Sequence, residues 1–187
     1  MLKKTPRHEP FVATEPTIEV IDSAGKTLLV MPQTQVLRQK LRHRTVLVCL
    51  RNAKGLLYLF KMPIITPGEQ RRDAWVPAAH GPVFAGESCH DAGTRLLEQV
   101  FGLSDVELFE AATFSQPATS PEGNITVTLF LSARTSAIPR LSDQDNPEGL
   151  FVDREEFHAI TLNYPYMVTP FWNQAIPYFF PDPLRHT

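Results

Sequence analysis

Residues 81–103 read GPVFAGESCHDAGTRLLEQVFGL, and the reading of this stretch decides the fold. Ser88 followed by Asp91 is an S-x-x-D capping pattern, in which a hydroxyl takes up backbone N–H groups that a helix start leaves without partners. Gly102 supplies the left-handed residue that closes a helix. The two signals together predict a helix over Cys89–Phe101. At about 100° per residue, Ala92, Leu96, Leu97, Val100 and Phe101 fall on one apolar arc, with Asp91, Thr94, Arg95, Glu98 and Gln99 opposite. Ahead of the helix, Gly81 and Gly86 bracket a turn whose backbone can come close to a phosphate, since glycine has no Cβ to obstruct it.

Strand signals lie on both sides of this helix. Thr17–Ile21 and Lys26–Met31 read as two strands about a turn at Asp22–Gly25, with a short helix at Gln33–Leu41 after Pro32. Thr45–Leu50 and Leu56–Phe60 are β-rich and flank Arg51–Gly55, which predicts a hairpin with Gly55 at the strained turn position. Met62–Asp73 reads as a loop, and Trp75 and Val76 lead into the glycine turn. Downstream, Val106–Thr113 and Ile125–Ser132 read as strands and Asp153–Ile160 as a short helix. The expected organisation is a polar, proline-bearing flexible arm over residues 1–16 and one α/β domain over 17–187. Residues 163–187 form an aromatic and proline-rich end, in which Thr169-Pro170 has the form of a helix start. Such aromatic density suits a C-terminal helix packed on the domain, a homodimer surface or the wall of a ligand pocket.

Composition removes several function classes. The chain has 187 residues, enough for one core, and a net charge of -2, which offers no electrostatic case for binding a nucleic-acid polymer. Its 2 cysteines form neither a disulfide framework nor a C-x-x-C metal motif, so a reducing cytoplasm is the expected setting. The N-terminus has no apolar signal region, and the longest apolar runs, TVLVCL and GLLYLF, are too short to cross a bilayer. Neither a phosphate-binding P-loop, nor a dinucleotide fingerprint, nor a nucleophile elbow is present.

The spacing of Gly81, Glu87, Arg95, Leu97, Gly102 and Leu103 resembles the Nudix box, the signature of hydrolases that cleave nucleoside diphosphates linked to another moiety. The resemblance covers roughly residues 17–160. It implies an α/β/α sandwich with a mixed β-sheet and a box helix. In that family, helical glutamates hold Mg²⁺ or Mn²⁺ against the substrate diphosphate; hard cations prefer carboxylate oxygens and also bridge phosphate oxygens. Here the corresponding positions are Leu96, Gln99 and Val100. The resemblance therefore implies a Nudix-type domain with lost or attenuated catalysis that still binds a small diphosphate-containing ligand or a partner.

An alternative keeps the enzyme active, with Glu87, Glu98 and Glu122 as metal ligands and Glu87, Arg95 and Glu98 as catalytic residues. Candidate substrate-binding residues on either reading are Gly81, Gly86, His43 and Lys61. Plainer roles stand beside these. Glu87 is well placed as an acid at a helix N-terminus, Arg95 as an exposed helix arginine able to pair with Asp91, and Glu98 and Glu122 as surface acids. A further alternative, a prenyl-diphosphate isomerase, rests on His43-Arg44 and on AAHGPVFAGES. Both resemble the Nudix subgroup that includes isopentenyl-diphosphate isomerase, although Pro82 stands where that subgroup has a metal-binding histidine.

Overall fold

The computed structural model describes residues 15–64, 72–116, 124–139, 149–164 and 174–180. The element order is β1 (Thr17–Ile21), β2 (Thr27–Pro32), α1 (Gln33–Arg38), β3 (His43–Asn52), β4 (Leu57–Ile64), β5 (Arg72–Val76), β6 (Ala79–Pro82), α2 (Cys89–Phe101), β7 (Leu108–Gln116), β8 (Ile125–Thr135), β9 (Gly149–Val152), α3 (Arg154–Asn163) and α4 (Ile176–Phe179). The architecture is α/β with one mixed sheet.

β3 organises that sheet. Along one edge it pairs in parallel with β8 from His43↔Ile125 to Asn52↔Thr135. Along the other it pairs antiparallel with β1 at His43, with β6 over Thr45–Val48 and with β4 at Arg51. Three strands thus share a single edge in succession. A strand so enclosed must be apolar on both faces, and Val46, Leu47, Val48, Cys49 and Leu50 are all fully buried.

The helix α2 spans the predicted residues. The Ser88 hydroxyl oxygen accepts the Asp91 N–H at 3.1 Å, and Gly102 ends the helix at φ 65°. Two contacts fix it to the sheet. A Cβ at Gly93 would stand 2.9 Å from Leu108 Cδ1 and close to Phe130, so only glycine lets the helix sit this near. Phe101 at the far end meets the Phe60 ring edge-on at 5.3 Å and Tyr58 at 6.0 Å. The three rings are buried, and each removes roughly 150–250 Å² from water.

Several expectations shift. Met62–Asp73 is not wholly a loop, because β4 continues to Ile64 and β5 begins at Arg72, pairing Phe60↔Val76 through Ile64↔Arg72. The ladder outweighs the local proline and charge content. α1 stops at Arg38 rather than Leu41, since Lys40 adopts φ 51° and the Leu41 N–H bonds the Val36 carbonyl at 3.0 Å, a helix-closing arrangement. β9, paired with β4 over Leu57↔Val152 to Phe60↔Gly149, carried no clear signal in its four residues. The Asp22–Gly25 turn and the strained Gly55 (φ 82°) are as expected.

Asp153 caps α3, and Glu156 reaches back to the Asp153 N–H in a full capping box. Of the aromatic C-terminal segment, Phe179 is buried with its ring perpendicular to Phe157 at 5.7 Å, so this part packs on its own domain. Thr169-Pro170 and Glu122 lie outside the described residues, as does the arm before Glu15. Among the described residues no helix is long and apolar enough to cross a membrane.

The opposite end of the sheet is apolar yet open. β2 is its last strand and pairs only with β1 among the described residues. Leu28, Leu29 and Val30 are 61%, 47% and 53% exposed. Neighbouring residues of a strand point to opposite faces, so β2 presents apolar side chains on both.

Candidate functional site

The loop before α2 and the first turns of the helix form one locked unit. Gly86 takes φ 80° and turns the chain, while the Glu87 N–H bonds the Phe84 carbonyl at 3.0 Å. That turn points the Glu87 carboxylate back along the helix at Arg95. Arg95 Nε donates to Glu87 Oε1 at 2.8 Å and Arg95 Nη2 to Oε2 at 2.9 Å, a bidentate pair that matches guanidinium to carboxylate. The Phe84 N–H also donates to Glu87 Oε2, at 2.9 Å. Burial by itself would raise the Glu87 pKa, but the Arg95 hydrogen bonds, the Phe84 N–H and the Arg95 charge outweigh it, and the carboxyl is held below its ordinary range.

Arg95 is equally occupied. Nη2 also donates to the Pro82 carbonyl at 2.9 Å, Nη1 reaches Gln99 Oε1 at 3.4 Å, and the guanidinium lies 4.1 Å from the centre of the Phe84 ring. The expected Arg95–Asp91 pair does not form. The Asp91 carboxylate accepts the Ser88 hydroxyl at 2.7 Å instead, and Glu87, mostly buried, is the better electrostatic partner for Arg95.

Gly81 is not part of a turn. It lies within β6 opposite Val46 and points at the helix, where a Cβ would stand 3.0 Å from Leu96 Cδ2. Its lack of a side chain makes room for Leu96 rather than for a phosphate. Leu96 is 5% exposed, Val100 is half-buried against the same core, and Gln99 is exposed. Glu98 projects into solvent from the polar side of α2. Among the described residues no three His, Cys, Asp or Glu side chains converge to hold a metal ion. Mg²⁺ or Mn²⁺ requires several carboxylate or carbonyl oxygens, and the described residues of this face do not supply them.

The other nominated residues lie apart from this unit. His43 is buried at the start of β3, and its Nδ1 donates to the Leu41 carbonyl at 2.8 Å, which fixes the tautomer. Burial lowers its pKa against the opposing effect of that hydrogen bond, so the ring is neutral at pH near 7. Lys61 sits over the Trp75 ring with Nζ 5.3 Å from the centroid. His80 lies on the same strand as Gly81. It follows Ala79 on β6 and must face away from α2 because its neighbour Gly81 faces the helix. Its ring reaches solvent, yet the surrounding protein displaces enough water to lower its pKa. Strand alternation on either side of Gly81 would have shown this direction, had β6 been recognised as a strand.

No family model and no curated protein matches the sequence. Solved structures do. The chain superposes on DR0079 from Deinococcus radiodurans with a TM-score of 0.65 at 17% identity, covering 88% of this chain and 99% of that one. The MutT protein from Methanosarcina mazei Go1 gives a TM-score of 0.56 at 16% identity, over 74% of this chain and 92% of that one. The Nudix domain of Shewanella oneidensis NrtR, solved with ADP ribose, gives 0.51 at 11% identity, over 78% and 94%. The mixed sheet and its capped helix therefore define a Nudix-type fold.

Proposed function

We propose that this chain is a Nudix-fold domain in which cleavage of nucleoside diphosphate-type pyrophosphate bonds is lost or strongly attenuated, while binding of a small diphosphate-containing ligand or a partner is kept. The observation that carries this reading is the seat of Leu96. It occupies the first of the three positions where the resemblance calls for a metal-holding glutamate, and it is packed against Gly81 in the core. Glu87 supports the same reading, since both its oxygens are bound by Arg95. The Nudix domain of NrtR was solved with ADP ribose, which makes a nucleoside diphosphate sugar the reasonable first ligand to try. The free thiols of Cys49 and Cys89 suit a reducing cytoplasm.

Calorimetric titration with ADP-ribose, with and without Mg²⁺, tests binding, and product release measures turnover. The expected result is binding that Mg²⁺ does not strengthen and no turnover. Mg²⁺-dependent hydrolysis of any nucleoside diphosphate derivative, abolished by Glu87→Gln, would overturn the proposal. It would favour the alternative in which Glu87, Glu98 and Glu122 hold the cations.

A further inference from the structure

We propose that β2 is the interface of a homodimer, in which two copies of the chain join edge to edge and antiparallel across Leu29. A long, apolar edge strand with free backbone groups is a template for pairing, and proteins that keep such an edge monomeric blunt it with charge, proline or a bulge turned away. Here the ladder slips by one residue only at the start of the strand, between Val20↔Leu29 and Ile21↔Thr27, and the residues from Thr27 to Leu37, TLLVMPQTQVL, include no charged side chain. The proline stands only at the strand's end, and Leu37, exposed on α1, extends the apolar surface beyond it.

The backbone is poised for the same event. The Gln33 N–H bonds the Pro16 carbonyl at 2.9 Å, which sets the phase of the β1–β2 ladder. With Ile18↔Met31 and Glu19↔Val30 in register, alternation turns the N–H and C=O of Val30 outward, away from β1. Among the described residues no other strand pairs with these groups.

The occupant follows from charge at the two ends. Lys26 precedes β2, and Glu15 is held at its other end, where its carboxylate accepts the Thr34 N–H at 2.7 Å. Antiparallel pairing about Leu29 sets Val30 of each copy against Leu28 of the other, the residue that the register slip leaves without a partner on β1. It also sets Lys26 against the second copy's Pro32, within reach of that copy's Glu15. Two equivalent ion pairs then close the ends of an otherwise uncharged seam. Parallel pairing would bring like ends together. A two-fold arrangement is also the commonest one for a surface that complements itself.

Sedimentation velocity on the full chain, at protein concentrations from about 1 to 100 µM, tests the proposal. The expected result is a reversible dimer. Leu29→Lys, at an exposed position the monomer tolerates, places two like charges at the symmetry axis and should weaken the dimer by roughly two orders of magnitude. Lys26→Glu and Glu15→Lys should each weaken it by about five- to tenfold, and the double exchange should restore it. Circular dichroism checks that each variant is folded. A chain that stays monomeric at every concentration would overturn the proposal. A dimer indifferent to both Leu29→Lys and the charge exchange would overturn it as well.

Discussion

Replacing Leu96 by glutamate places a carboxylate where the Nudix pattern calls for one, and its cost measures how firmly this helix face belongs to the core. Leu96 is 5% exposed and lies against Gly81, so losing its burial costs about 2 kcal/mol. An acid in that space would have its pKa raised by burial, by about 3 units at the low end for an enclosed group, and each unit is about 1.4 kcal/mol. With an unfolded pKa near 4.3, the ionisation penalty is about 3 kcal/mol at pH near 7, which brings the total to about 5 kcal/mol. That equals the lower bound of a typical domain's stability, about 5–15 kcal/mol.

The sign with pH follows from the raised folded pKa. The neutral acid carries no ionisation penalty below the unfolded pKa, and stability falls as pH rises from there through the folded pKa. Urea denaturation followed by tryptophan fluorescence, at about pH 5 and about pH 8, should show Leu96→Glu to be about 2–3 kcal/mol worse at the higher pH, a slope absent from Leu96→Gln. Mg²⁺ at about 10 mM should not reduce the loss. A loss under about 1 kcal/mol at the higher pH, or a gain from Mg²⁺ that the parent chain does not show, would refute the reasoning, because position 96 would then face an open, cation-holding groove.

Three further outcomes follow. Arg95→Met leaves the mostly buried Glu87 carboxylate without its bidentate partner and should cost about 2–4 kcal/mol, while adding Glu87→Gln should recover part of that loss in a double-mutant cycle. Because the Glu87 pKa is depressed in the fold, its contribution is present above the ordinary carboxylate range and disappears as pH falls through the folded pKa, so Glu87→Gln should flatten the acid limb of the stability curve. In a thiol titration of the folded chain, half-exposed Cys89 should react. Cys49, whose pKa burial pushes far up, should react only after unfolding, and two reactive thiols in the native state would contradict the packing of β3.

What the sequence reveals here depends on whether a signal is local. α2 was legible to the residue because Ser88, Asp91 and Gly102 act within one turn of its ends. The β1–β2 turn and Gly55 were legible for the same reason: glycine at positive φ is a local demand. β6 and β9 were not, since four-residue strands held by partners 30 or more positions away carry too little pattern to show. The role of Gly81 is hidden along with β6. Its reason for being glycine is Leu96, fifteen positions later, and that pairing exists only once the helix has folded back on the strand. Arg95 illustrates the same limit. Helical spacing offers Asp91 as a partner, but the turn at Gly86 delivers Glu87, which no spacing rule within the helix would nominate.

The contact between Leu96 and Gly81 also bears on how such a domain can change over time. An acidic cation site on this face of α2 is three substitutions away, at Leu96, Gln99 and Val100. A lone glutamate at position 96 loses packing and gains a buried charge, whereas a divalent cation asks for several oxygens at once. The first of these steps is therefore uphill, and nothing downstream offsets it until the others are in place. On the function proposed above, a leucine at this position acts as a ratchet, holding the chain on the side of the fold and away from the metal.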